Sequence, residues 1–212
     1  MTLYDIKPYF QSLLRPLVKV LYQHGITANQ VTLSALGISV ALGVLLSFYP
    51  YPLLFILLPI LLFLRMALNA MDGMLAREFK QQSHLGAIYN EVGDIIADVA
   101  LFVPFIFLSS ANLILVITCI FLSILTEFCG VLAQTLSVNS KRGYQGPLGK
   151  SDRALFLGTY AFIFVIYPNA LLYINWVFGI IMILLALTCY KRCNQALKIA
   201  QASNKNEVEN AG

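Results

Sequence analysis

Asn69-Ala70-Met71-Asp72-Gly73-Met74-Leu75-Ala76-Arg77 and, eight residues on, Gly86-Ala87-Ile88-Tyr89-Asn90-Glu91-Val92-Gly93-Asp94 decide how this chain is read. Polar and charged residues recur here at helical spacing, inside segments apolar enough to cross a bilayer. Ionisable groups are costly at that depth, so they mark a functional site by default.

The surrounding composition supports this reading. The 212 residues are 59% hydrophobic and 11% charged, whereas a soluble domain carries roughly 25% charged residues. Apolar stretches of about the length a spanning helix needs fall at about 31–50, 53–78, 85–108, 112–136, 153–168 and 171–190. The expected fold is an all-α polytopic membrane protein with six transmembrane helices. Three of the breaks, at Tyr49-Pro50-Tyr51-Pro52, Ser109-Ser110-Ala111-Asn112 and Tyr167-Pro168-Asn169, contain no Lys or Arg. The opposite side collects Lys7, Arg15, Lys19, Lys80, Lys141, Arg142, Lys150, Arg153, Lys191, Arg192 and Lys198, which by the positive-inside rule puts both termini in the cytoplasm.

Before the first span, Phe10, Leu13, Leu14, Leu17, Val18 and Leu21 repeat at helical spacing opposite Lys7, Gln11, Arg15 and Lys19. Residues 1–25 are thus expected to form an amphipathic helix at the membrane interface, in contact with membrane lipids, with docking on protein as the alternative. Pro16 is expected to kink it or to start a second helix. Residues 26–195 are expected to form the six-helix membrane domain and 196–212 a polar cytoplasmic tail, which after about residue 200 lacks periodicity and is expected to be disordered. Cys119, Cys129, Cys189 and Cys193 lack Cys-x-x-Cys spacing and read as packing residues. No internal repeat supports an inverted-repeat transporter.

The two quoted segments build a site by depth. If the second span ends near Glu78 and the third begins near Leu85, Asn69, Asp72, Asn90 and Asp94 lie about 10–15 Å below the cytoplasmic helix ends. Asn69, Asp72 and Ala76 share one face, as do Gly86, Asn90 and Asp94. Antiparallel packing brings the four oxygen-bearing side chains together, a donor set for a hard divalent cation, Mg²⁺ or Mn²⁺. Gly73, Ala76 and Gly86 leave space beside it, and Arg77, one turn nearer the cytoplasm, is suited to gripping a diphosphate. Helix packing by small residues is the competing reading. Deeper, Arg65, Asp98 and Glu127 have signs that allow an ion-pair network, while Glu127 and Gln134 alternatively line an acceptor cavity.

The pattern Asp72-Gly73-x-x-Ala76-Arg77-x8-Gly86-x3-Asn90-x3-Asp94 resembles the signature of the CDP-alcohol phosphatidyltransferase family, as Ile26-Thr27-Ala28-Asn29-Gln30-Val31-Thr32 resembles the entry to that family's first span. The resemblance covers about residues 5–195. It implies a phospholipid-biosynthetic transferase that moves a substituted phosphate from a CDP-linked lipid donor to a small alcohol acceptor with release of CMP. It also implies a two-metal site facing the cytoplasm of a bacterial inner membrane, in a protein that often forms homodimers and has no nucleic-acid partner. Carried over, Asp72 ligates metal, Asp94 neighbours the metal and is the general base, Gly73, Ala76 and Gly86 make room for cytidine, and Arg77 holds the diphosphate. Asn69 and Asn90 stand where the family pattern has aspartates. An amide oxygen ligates a cation but brings no charge, which leaves three readings open: metal binding that needs substrate, a one-metal mechanism, or loss of activity with a scaffold role. A bacterial inner-membrane branch of the family resembles this chain in that variation.

On the acceptor side, Glu127, Lys150, Arg153 and Arg65 are the candidates. Phosphatidylglycerophosphate synthases are similar around Glu127 but carry basic residues near Thr126, Gln134 and Asp152. That loss of positive charge leans towards an acceptor that is not strongly anionic. An ion- or proton-coupled transporter using Asp72, Asp94 and Asp98 is the reading from another class. It has no need of Gly73, Ala76, Arg77 and Gly86 at these spacings.

Overall fold

The computed structural model describes residues 3–136 and 142–210, with side chains over 9–136 and 142–201. Lys141 and the extreme ends of the expected first and last segments lie outside the described residues, as does the side chain of Lys7. Among the described residues there are seven α-helices and no strand: α1 Leu3–Gln23, α2 Ala28–Phe48, α3 Leu57–Glu78, α4 His84–Phe102, α5 Leu113–Leu132, α6 Lys150–Ile166 and α7 Ile174–Asn210. Four stretches of the described residues, Ala28–Phe48, Pro52–Glu78, Leu113–Thr135 and Pro168–Gln201, are long and apolar enough to cross a membrane. The third and fifth expected spans correspond to α4, diluted by Glu91, Asp94 and Asp98, and to α6, which is only 17 residues long.

Contacts divide the chain into two units, Met1–Pro104 and Phe105–Gly212. In the first, α2 packs against α3 and α4, and α1 packs against α3. Gly43 explains how closely α2 and α4 approach: a Cβ there would lie 2.2 Å from the Ala100 carbonyl oxygen. Small residues allow such backbone proximity, which is a main source of helix association in lipid.

The N-terminal helix has two apolar faces. Leu14, Val18 and Leu21 join Ala28, Val31, Met71, Met74 and Leu75 in one buried cluster, while Tyr9, Leu13 and Leu17 stay exposed. Docking on protein and an outward apolar face therefore coexist. The helix continues through Pro16 as one element. Tyr22 stacks on Phe79 at 4.1 Å between ring centroids, and Arg15 bonds Glu78 at 2.9 Å. That hydrogen bond, with the carboxylate's charge, holds the Arg15 guanidinium above its ordinary pKa.

Local signals set the boundaries around the site. Thr27 caps α2 by accepting from the Gln30 amide while Gln30 returns a bond to the Thr27 amide. Lys80, at φ 55°, takes the left-handed turn that ends α3, and Ser83 caps α4 by accepting from Gly86 N at 3.0 Å.

In the second unit α5 packs on α7, with Phe105, Phe164 and Phe178 clustered in its core. Cys193 Sγ lies 3.4 Å from Cys129 Sγ, and all four cysteines are free thiols. The expected irregular tail is corrected: α7 runs through to Asn210, since residues 196–210 contain neither Gly nor Pro to stop it.

Candidate active site

The first unit contains a cleft of about 490 Å³ between the N-terminal turn of α2, the C-terminal half of α3, the α3–α4 connection and the start of α4. Its lining includes Asn69, Asp72, Gly73, Ala76, Arg77, Gly86 and Asn90, so seven of the signature positions meet around one space. Asp94 sits beside it: its Oδ1 lies 3.4 Å from Asn69 Nδ2. Glu91 is not part of the lining.

Thr32, Asn29 and Gln81 are among the lining residues that spacing does not mark. Thr32 donates its hydroxyl to Asp72 Oδ2 at 2.8 Å. Asn29 and Thr32 belong to the entry segment at the start of the first span, whose similarity to the family pattern was the available signal. Gln81 accepts from Ala28 N at 2.7 Å, fixing the α2 N-terminus against the α3–α4 connection.

The small residues have protein neighbours as well as open space. A Cβ on Gly73 would lie 3.1 Å from Arg77 Nη2, so the guanidinium rests over Gly73. A Cβ on Gly86 would lie 2.6 Å from Asn29 Oδ1 and 3.0 Å from Ser83 Oγ. A side chain at position 86 would therefore have to displace the ends of the Asn29 and Ser83 side chains.

The deep layer is only partly as expected. Arg65 bonds Asp98 Oδ1 at 2.6 Å, Asp94 Oδ1 at 3.2 Å and the Asp94 carbonyl at 3.1 Å. Arg65 and Asp98 are both more than nine-tenths buried. A single guanidinium thus spans two carboxylates spaced one turn apart on α4.

Glu127 does not complete that network among the observed bonds; its partners lie in the second unit. Arg153 Nη2 donates to Glu127 Oε1 at 2.7 Å, Arg192 Nη1 approaches the same oxygen at 3.5 Å, and Arg142 Nη2 donates to Oε2. Thr126 accepts from Arg153 Nη1 through its hydroxyl at 3.0 Å, and from Arg192 through its carbonyl. The physical reason is local: α6, α7 and the segment at Arg142 each supply a guanidinium within reach of one carboxylate. Arg142 and Arg192 were read from the sequence only as topology charges, because nothing in their spacing marked them. Asp152, read as removing charge from an acceptor pocket, accepts from Gly149 N at 3.0 Å and caps α6. Lys150 opens that helix.

The donor set of the cleft decides what cation it suits. Among the described residues there is no group of three or more His, Cys, Asp or Glu placed to hold a metal ion. The cleft instead offers the Asp72 carboxylate with the Asn69 and Asn90 amides. These are hard oxygen donors of low total charge. They fit one Mg²⁺- or Mn²⁺-like ion that keeps several waters and takes further oxygens from substrate phosphates.

A family model described as CDP-alcohol phosphatidyltransferase matches residues 25–189. Inner membrane protein YnbA of Escherichia coli (strain K12) is 55% identical over 197 residues, covering 93% of this chain and 97% of that protein. The crystal structure of Mycobacterium tuberculosis phosphatidylinositol phosphate synthase with CDP-DAG bound has a TM-score of 0.72 at 22% identity, covering 85% of this chain and 92% of that one. The structure of that synthase in complex with manganese and citrate also gives a TM-score of 0.72, at 22% identity, over 86% and 88% of the two chains. Likeness at that identity is likeness of fold.

Proposed function

The chain belongs to the CDP-alcohol phosphatidyltransferase family, and from that premise we propose that it transfers a phosphatidyl group from CDP-diacylglycerol to an alcohol with release of CMP. The observation that carries this reading is the cleft itself: Asn69, Asp72, Gly73, Ala76, Arg77, Gly86 and Asn90 line one space. The manganese and CDP-DAG held by a synthase of the same fold support a cation and a CDP-lipid as ligands here. We further read the chain as a six-span, homodimeric inner-membrane protein over residues 26–195, with both termini cytoplasmic. The inner-membrane relative supports the compartment.

In this mechanism Arg77, lying over Gly73 on the cleft lining, binds the donor diphosphate by paired N–H donors. Gly73, Ala76 and Gly86 admit the cytidine. Asp72, oriented by the Thr32 hydroxyl, would hold the cation together with the Asn69 and Asn90 amide oxygens. When bound, the ion would neutralise charge on the phosphates during displacement. The acceptor hydroxyl oxygen forms the new bond to phosphorus as the P–O bond to CMP breaks, and the hydroxyl proton passes to the Asp94 carboxylate. Arg65 and Asn69 hold that carboxylate in direction by bonds of 3.2 and 3.4 Å.

Within the second unit Arg142, Arg153 and Arg192 converge on the Glu127 carboxylate. The lean towards an acceptor that is not strongly anionic, taken from Thr126, Gln134 and Asp152, is the acceptor part of the proposal.

The test supplies purified protein with Mg²⁺ or Mn²⁺, labelled CDP-diacylglycerol and a panel of neutral and phosphorylated alcohols, and follows CMP. Release with a neutral alcohol supports both parts. Release only with phosphorylated alcohols removes the acceptor part, and no release with any pair would shift the reading to a scaffold.

A further inference from the structure

The cleft has one carboxylate on its lining, Asp72, where the chemistry of a two-cation site calls for several. Asn69 and Asn90 contribute amides. The next carboxylate, Asp94, is met by a resident cation, since Arg65 donates to its Oδ1 and to its backbone carbonyl while also bonding Asp98. Asn69 turns its NH₂ to the same Asp94 oxygen, leaving its carbonyl as the end of the amide that can ligate.

We propose that this cleft takes a single divalent cation, on Asp72 and the two amides, and that the Arg65 guanidinium supplies at Asp94 the positive charge a second cation would otherwise bring. The proposal rests on the CDP-alcohol transferase reading of the cleft and specifies its metal content. Its physical basis is exclusion. A cation on Asp94 Oδ1 at about 2.1 Å would lie within roughly 5 Å of the Arg65 nitrogen that already donates to that oxygen. Arg65 is buried and tied to Asp98 at 2.6 Å, so it cannot withdraw to solvent without leaving Asp98 uncompensated. A guanidinium is charged at every physiological pH, so this positive charge is permanent, unlike that of an exchangeable ion. The asparagines agree with this arrangement: one site cation and one arginine need fewer negative ligands than two divalent ions.

Arg65 is on this account a positioning residue that acts through Asp94. The test is an Mn²⁺ titration of detergent-purified protein followed by electron paramagnetic resonance, with and without saturating CDP-diacylglycerol. The wild type should bind one Mn²⁺ per chain, with the six-line spectrum of an isolated ion. Arg65→Gln should bind a second Mn²⁺ and show the broadening of two ions close together. Should that variant not fold, Arg65→Gln with Asp98→Asn keeps the local charge balanced and should also gain the second ion. A purely structural role for Arg65 would change stability without adding an ion. Two ions in the wild type, or one ion in the balanced double variant, overturns the proposal while leaving the transferase reading standing. No bound Mn²⁺ at any nucleotide concentration overturns both.

Discussion

The Thr32 hydroxyl stands 2.8 Å from Asp72 Oδ2, joining the first turns of α2 to the one carboxylate on the cleft lining. The same hydroxyl oxygen lies 3.0 Å from the Ala28 carbonyl, so its single proton is shared between its own helix and Asp72.

A hydrogen bond to a charged group contributes about 1.5 kcal/mol or more, close to a factor of ten in affinity. Thr32→Val should therefore weaken cation-dependent CDP-diacylglycerol binding roughly tenfold with little change in thermal stability. Asp72→Asn should abolish the cation dependence altogether. Calorimetry with and without Mg²⁺ checks both, and an unchanged cation dependence in Asp72→Asn would remove Asp72 from the site.

Asp94 is assigned the acceptor proton. Asp94→Asn should lower turnover by the ~10²–10⁴-fold typical of losing a general base while changing donor affinity much less. Steady-state CMP release and equilibrium donor binding separate the two effects. Wild-type turnover in the variant would end the assignment.

Asn69 and Asn90 bring no charge, so the donor's diphosphate has to complete the cation site. Divalent binding should be weak in the free protein and strong once CDP-diacylglycerol is present, with donor affinity raised by the same factor, since such coupling is reciprocal. Asn69→Asp with Asn90→Asp should tighten binding in the absence of donor and shrink the coupling. Equal metal affinity with and without donor in the wild type contradicts this account.

Two buried ion-pair groups give separate stability tests. Arg65→Leu leaves Asp94 and Asp98 facing one another without their cation, a loss of roughly 3–5 kcal/mol for a broken buried pair, and Asp98→Asn should restore part of it. Glu127→Gln removes the carboxylate on which Arg142, Arg153 and Arg192 converge and should likewise lower thermal stability, with partial recovery on adding an anion such as phosphate. A fully stable Arg65→Leu with damaged kinetics would make its role chemical alone.

What the sequence made legible follows from how each signal is encoded. The α3–α4 pair was readable because period and polarity coincide: Asn69, Asp72 and Ala76, and Gly86, Asn90 and Asp94, recur at three and four residues, so helical geometry alone puts each set on one face. The Arg65–Asp98 pair was readable from depth. Glu127 was not, because its partners come from residues 142, 153 and 192, far apart in sequence, and no local spacing announces a convergence of that kind. Thr32 was visible as part of a motif, but its bond to Asp72 spans 40 residues. The helical run to Asn210 is not legible from periodicity, because residues 196–210 are largely polar, although they contain no helix breaker.

The left-handed turn at Lys80 governs the phase between the two halves of the signature. Five residues, 79–83, separate the end of α3 from the start of α4, and only they can change length without rotating a ligand. An extra residue between Gly86 and Asn90 would swing Asn90 and Asp94 about 100° around the axis of α4, turning them away from the face they share with Gly86. An extra residue at Gln82 would leave the faces of α3 and α4 intact but shift Gln81 and Ser83, which line the cleft, relative to each other. The connector therefore behaves as a joint and the helices as two keyed shafts. Across relatives, insertions should be excluded from the shafts, and the joint should keep the eight-residue spacing between Arg77 and Gly86.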